Sequence, residues 1–464
     1  MIAASLVAMV NLSVAPYGAL PSPRQIAWHE MDQYVLVHFT PTTFENKEWG
    51  YGDADPKIFN PSDFDADQIV RAVKAGEFKG LILVAKHHDG FCLWPTKTTP
   101  YNITKSPWKN GKGDMVKEFE KATRKAGLKF GVYCSPWDRN HPEYGRPAYA
   151  EVYREQLREL YTNYGELFMS WHDGANGGDG YYGGAREMRK IDRATYYGWE
   201  KNWALTRLLQ PNASLFSDVG PDVRWVGNET GQAAETSWAT FTPEPRKGKG
   251  RIGPGEMDYT KLPFGTRNGR FWMPAECDVP HRPGWFYHPE EDSKVKTAEQ
   301  LFTLYLESVG RGGSFNLGIA PDTRGQLHEI DVKELTEYGR LLRTRFKDNL
   351  ALKAAFQVDG KALSSRNNLR DRSRYSEVHG SEFLLTWKEP IDASYVRIRE
   401  NIKLGQRIDK WSIEGLRDGN WVTLSKGESI GANRTVKVDG KGITQVRVKI
   451  SGPVVVNLSE VSVF

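Results

Sequence analysis

Glu166-Leu167-Phe168-Met169-Ser170-Trp171-His172-Asp173-Gly174-Ala175-Asn176-Gly177-Gly178 is the stretch on which the fold turns. Its first half is a short apolar run of strand length. Its second half is rich in glycine, as a loop directly after a buried strand would be. An acid, Asp173, stands where the strand gives way to the loop. A strand end fixes a carboxylate rigidly, and the glycines leave open space beside it. Asp173 therefore reads either as a group placed for chemistry or as a plain cap on the following turn.

The same pattern recurs along the chain. Strand-like segments are expected at residues 34–39, 80–86, 129–134, 166–171, 213–218, 270–276 and 313–319. Amphipathic helical runs lie between them, at 66–75, 115–126, 153–164, 195–210 and 297–309. Strands alternating with helices predict a parallel sheet, and over this length a (β/α)8-like barrel spanning residues 23–350. One strand is missing from the set, and the region 233–241 is its expected place. From residue 351 to 464 strand-like segments follow one another with no helical period, and Arg417-Asp418-Gly419-Asn420 has hairpin-turn chemistry. An all-β sandwich domain is expected there, packing against the barrel more than binding sugar, since no aromatic platform stands out.

The bulk properties narrow the function. A formal net charge of +5 over 464 residues, with one basic cluster at Arg246, Lys247, Lys249 and Arg251 among glycines and prolines, indicates a solvated loop rather than a nucleic-acid surface. Residues 2–10 are apolar and small, so residues 1–22 resemble an export leader, although no basic residue precedes the run. A periplasmic or secreted protein is the expectation. No later segment is long and apolar enough to span a bilayer. Cys92, Cys134 and Cys277 form no C-x-x-C pair and read as buried free thiols.

Polar residues cluster at the ends of the expected strands: His38, the run His87-His88-Asp89, Tyr133, Trp171 with Asp173, and Asp218. In a barrel these ends open on one face and converge. His87-His88 raises a metal site, but neighbouring strand residues point to opposite faces and no H-x-H or H-E-x-x-H spacing occurs, so neither a metal nor another cofactor is expected. Fifteen tryptophans, twenty tyrosines and ten histidines suit sugar binding, where rings stack on apolar sugar faces and imidazoles bond hydroxyls; they are also ordinary core residues.

The specific combination resembles the α-L-fucosidases of glycoside hydrolase family 29. It comprises Val37-His38-Phe39, Lys47-Glu48-Trp49-Gly50, Lys86-His87-His88-Asp89-Gly90-Phe91 with Trp94-Pro95-Thr96, and Gly131-Val132-Tyr133. Trp171-His172-Asp173-Gly174, Pro274-Ala275-Glu276 and Arg282-Pro283-Gly284-Trp285-Phe286-Tyr287 continue it. The resemblance implies a retaining fucosidase with Asp173 as nucleophile and fucosylated oligosaccharides or glycoconjugates as substrates. Retention needs a second carboxyl group about 5–5.5 Å away, protonated when substrate arrives. Glu229, in Asp222-Val223-Arg224-Trp225-Val226-Gly227-Asn228-Glu229-Thr230-Gly231, matches the branch acting on α-1,3/1,4-linked fucose of Lewis-type glycans; Glu276 and Glu235 are its rivals. The resemblance also implies that His38, Glu48, Trp49, His87, His88, Tyr133, Trp171 and Trp285 surround fucose. Asp222, Arg224 and Trp225 would then meet a branching galactose. The family commonly has Phe before the nucleophile; here His172 stands there and should face away from Asp173. A carbohydrate-binding relative without catalysis, a fucosidase of broad specificity and a different, metal-dependent barrel hydrolase are the other readings.

Overall fold

The computed structural model describes residues 14–363, 368–370 and 374–464. The apolar run at 2–10 lies outside them. Eight parallel strands close a barrel: β1 (Gln33–Val37), β2 (Gly80–Lys86), β3 (Lys129–Cys134), β4 (Met169–Trp171), β5 (Ser214–Ser217), β6 (Val223–Trp225), β7 (Ala275–Pro280) and β8 (Ser314–Ile319). Each pairs with its sequence neighbour, and β8 closes onto β1, with Val35 opposite Leu317. Every residue of β1, β2 and β8 is buried. That is why they read as near-continuous apolar runs: inward side chains fill the barrel and outward ones meet helices.

The helices begin where the chain supplies caps. Asp65 accepts the Gln68 amide at the start of one (Ala66–Ala75), Asp114 the Lys117 amide at the next (Met115–Lys125), and Thr297 forms a capping box with Gln300 before a third (Ala298–Glu307). Each cap follows the C-terminal end of the preceding strand, so the chain climbs each strand and returns along each helix.

Two strands differ from the sequence reading. The eighth strand is not in 233–241, where only Thr240–Phe241 is extended, paired with Phe271–Trp272 outside the barrel. It is β6, which joins β5 through Phe216 and Val223 and β7 through Ala275 and Arg224. Three residues with arginine at the centre carry no apolar period, so the segment looks like loop. Likewise the 270–276 expectation straddles that outer hairpin and the start of β7. The barrel strand runs on to Pro280 because its acids, Glu276 and Asp278, point inward while Cys277 and Val279 pack outward.

The C-terminal part is all-β, as read. Its main strands are β9 (Ala355–Val358), β10 (Glu382–Arg399), β11 (Lys410–Arg417), β12 (Asn420–Gly427), β13 (Arg434–Ser451) and β14 (Glu460–Val463). In hydrogen-bonding terms they form one seven-stranded antiparallel sheet, completed by Lys361–Ala362, beside a two-stranded ribbon. Asp418 and Gly419 both take positive φ in the turn between β11 and β12, the conformation that a two-residue hairpin needs. The sheet is tied to the barrel by Arg267 and Asp409, by the Ala239 amide on Gln406 (2.9 Å), and by Arg374 on the His29 carbonyl (2.9 Å). No helix among the described residues is long and apolar enough to cross a membrane.

Candidate active site

The C-terminal ends of the barrel strands surround a pocket of some 440 Å³, counting its open mouth. Leu36, His38, Trp49, His87, His88, Tyr133, Trp171, Asp173, Ala175, Glu229, Asp278 and Trp285 line it. Asp173 lies on the loop just after β4. Its Oδ1 accepts the Ala175 amide at 2.6 Å and its Oδ2 the Tyr133 hydroxyl at 3.0 Å. Both bonds favour the anion, but burial outweighs them and, with the nearby Asp218 and Glu229, pushes its pKa up to about 7.

Three histidines form one wall. Burial pushes the pKa of His38 and of His88 down to about 3 and that of His87 well below its usual value. All three rings are therefore neutral, each with one donor and one acceptor nitrogen. Ser135 donates to the Trp137 carbonyl at 2.8 Å, so its oxygen receives His88 Nδ1–H at 2.7 Å. That leaves His88 Nε2 bare, facing Asp173 Oδ2 at 3.8 Å. His38 and His87 each bury an Nδ1 that has no hydrogen-bond partner among the described residues. Within the signature, Lys86 and Asp89 are scaffold. Lys86 is buried on Asp138, Tyr149 and Gln156, and Asp89 accepts from Thr40, Thr42 and the Phe91 amide.

Aromatic rings complete the pocket. Trp171 stacks on Phe216 (4.2 Å between centroids) and donates to Glu276 Oε1 at 2.7 Å. Trp285 lies over Gly318, where a Cβ would come within 2.5 Å of its ring. Trp49 stands at the mouth, 48 % exposed, edge-on to His88 and Trp137.

Glu229 sits at the rim in a tight turn. Asn228 Oδ1 accepts the Thr230 amide (3.1 Å) and hydroxyl (2.7 Å), and Asn228 Nδ2 donates to the Gln232 carbonyl (3.0 Å). Partial burial and the nearby Glu48 raise the Glu229 pKa.

Several sequence-derived sites lie elsewhere. Asp222 precedes β6, at the opposite end of the barrel, buried between Arg24 and Arg207 and accepting the Leu215 amide. Arg224 points out of the barrel and bonds the Leu262 and Met273 carbonyls. Neither lines the pocket, because strand alternation sends Val223 and Trp225 inward and Arg224 outward. Trp225 stands one layer behind the pocket, its Nε1 donating to Asp278 Oδ1 at 2.8 Å. Glu48 is occupied by the loop that carries Trp285: it accepts the Trp285 and Phe286 amides and meets His288. Glu276 is wholly enclosed between Tyr34, Trp171 and Asn316, and Glu235 is exposed away from the pocket. His172 faces outward onto Tyr153 and Ser170, away from Asp173. Asp278 was not foreseen; its spacing of two from Glu276 on one strand was the available signal.

The α-L-fucosidase family model matches residues 16–345. Alpha-L-fucosidase 1 of Arabidopsis thaliana is 38 % identical over 436 residues, 91 % of this chain and 82 % of that protein. The chain belongs to the α-L-fucosidases of glycoside hydrolase family 29. Among solved structures, a family 29 member from an unknown rumen bacterium is 38 % identical with a TM-score of 0.87, over 97 % of this chain and 78 % of that one. A Ruminococcus gnavus family 29 fucosidase solved in complex with fucose is 29 % identical with a TM-score of 0.84, over 97 % and 96 % of the two chains. The barrel and C-terminal sheet of the present fucosidase are thus those of its family, and its substrates are fucosylated glycans.

Proposed function

We propose that the enzyme is an exo-acting, retaining α-L-fucosidase that removes α-1,3/1,4-linked fucose from branched, Lewis-type glycans. The observation that carries the mechanism is that Asp173 and Glu229, on loops after different strands, line one pocket. In the first step Asp173 attacks the anomeric carbon, the glycosidic bond breaks, and Glu229 gives its proton to the departing oxygen. In the second, the Glu229 carboxylate takes a proton from water, whose oxygen displaces Asp173 and releases fucose with retained configuration. The raised Glu229 pKa supports its holding the proton at the start. A floor closed by Leu36, Tyr133 and Trp171 supports cleavage at a chain terminus. Neutral histidines suit sugar hydroxyls.

The linkage reading is supported by the loop 226–231 that presents Glu229 and by nothing at Asp222 or Arg224. Export to the periplasm or outside the cell belongs to the same proposal, on the apolar run at 2–10. Glu229→Ala should spare activated aryl fucosides far more than Lewis trisaccharides, and azide, displacing Asp173 in place of water, should restore turnover as α-fucosyl azide. Asp173→Ala should abolish turnover while fucose still binds. Equal losses on every substrate for Glu229→Ala, with no azide product, would assign the acid elsewhere. Rapid release from 2′-fucosyllactose relative to Lewis a and Lewis x would remove the linkage assignment alone.

A further inference from the structure

Asp278 is the one ionisable residue lining the pocket to which the mechanism gives no clear part. It is held on β7, two residues beyond Glu276, so both side chains enter the barrel and Asp278 stands nearer the mouth. Trp225 Nε1 donates to its Oδ1 at 2.8 Å. An indole nitrogen only donates, so Oδ1 is committed as an acceptor. Apart from its own amide, no further group among the described residues is seen to donate to the carboxyl, and the side chain lines the pocket.

The surroundings decide what Oδ2 carries. Burial holds the proton of Asp278 well above the usual carboxylate range, and the ionisable groups facing it, Glu276 on its own strand and Glu229 from the loop after β6, are both acids and add to the effect. Cys277 next to it points outward, and its own thiol is raised by burial. Across β8, Asn316 is neutral and bonds Glu276 instead. Arg224, on the adjoining β6, turns its guanidinium away to the Leu262 and Met273 carbonyls. No cation among the described residues is seen to pair with an ionised Asp278. With Oδ1 engaged as the acceptor of the indole, the carbonyl character lies there and the proton is better placed on Oδ2.

We propose that Asp278 binds the fucosyl residue as a neutral acid, its Oδ2–H donating to a sugar hydroxyl oxygen while Trp225 fixes its orientation. The proposal rests on the pocket being the fucose site. It assigns to the barrel wall beside Glu229 a donor that stays uncharged while Glu229 cycles between acid and base.

Two variants of the full chain separate this from a merely structural or an ionised role. In Asp278→Asn the amide oxygen can still accept from Trp225, and Nδ2–H then points where Oδ2–H did. Fucose affinity by calorimetry and KM for 4-nitrophenyl fucoside should stay within about threefold of wild type at pH 6. At pH 9 the Asn variant should bind at least as well as wild type, having no proton to lose. Asp278→Ala should weaken fucose binding by about tenfold or more, with a smaller effect on kcat. An Asn variant as weak as the Ala variant would overturn the proposal, because an ionised carboxylate would then be needed. So would an Ala variant that binds as wild type. Failure of the wild-type enzyme itself to bind fucose would be a different result: it would remove the pocket assignment on which the proposal rests.

Discussion

Tyr133 shows how a single hydroxyl tunes the centre. Its bond to Asp173 Oδ2 opposes the burial that pushes that carboxyl up to about 7. The reacting form is the anion, so activity should fall as pH drops through that region. Tyr133→Phe removes a bond that favours the anion, a change worth about 1.5–3 kcal/mol, and should move the acidic limb of kcat/KM upward by about one unit or more. A pH–rate profile of the variant checks this; a limb unmoved or shifted downward would deny the coupling. Sequence made Tyr133 and Asp173 legible because each ends an apolar run. It could not show that Glu48 accepts the amides of Trp285 and Phe286, more than two hundred residues away. It overlooked Asp278, whose spacing of two from Glu276 was the available signal and whose partnership with Trp225 the fold supplies.

At the scale of elements, the pocket depends on how closely β8 admits Trp285. Gly318 pairs with Leu36 of β1 and Pro280 of β7, and its missing Cβ is the space in which the indole rests. Gly318→Ala would place a carbon about 2.5 Å from Cζ3 of that ring, so the ring, which lines the pocket, must shift. Overpacking of this kind costs about 1–3 kcal/mol. KM should rise about tenfold, kcat should change less, and melting should move by only a few degrees. An unchanged KM would mean that Trp285 does not wall the sugar site. The strands that sequence located best are those buried on both faces, β1, β2, β3 and β8. The two it misplaced are β6 and β7, where Arg224, Glu276 and Asp278 break the apolar run because barrel interiors near a site tolerate acids that ordinary strands exclude.

At the scale of the whole molecule, the barrel's buried acids make stability depend on pH in a definite direction. Glu276 is fully enclosed, and burial raises its pKa from 4.5 to about 7 despite the donors Trp171, Tyr34 and Asn316. The folded state therefore holds this proton more tightly than the unfolded chain. Its contribution is complete below pH 4.5, declines as pH rises toward 7 and is gone above that, a total of about 3 kcal/mol. Other groups act the opposite way: His29, His38, His88 and His172, each pushed down to about 3 by burial, withdraw stability as pH falls below 6.5. Those terms are common to wild type and a Glu276 variant, so the difference between the two isolates the carboxyl. Glu276→Gln suits this comparison: its oxygen can accept from Trp171 and Asn316, and its amide can donate to Tyr34, whose proton then turns to Ser314. Melting followed from pH 4 to 8 should show the variant gaining on wild type steadily up to pH 7 and levelling off beyond. A constant difference across that range would mean that Glu276 keeps its ordinary pKa and that the barrel centre is wetter than its packing indicates.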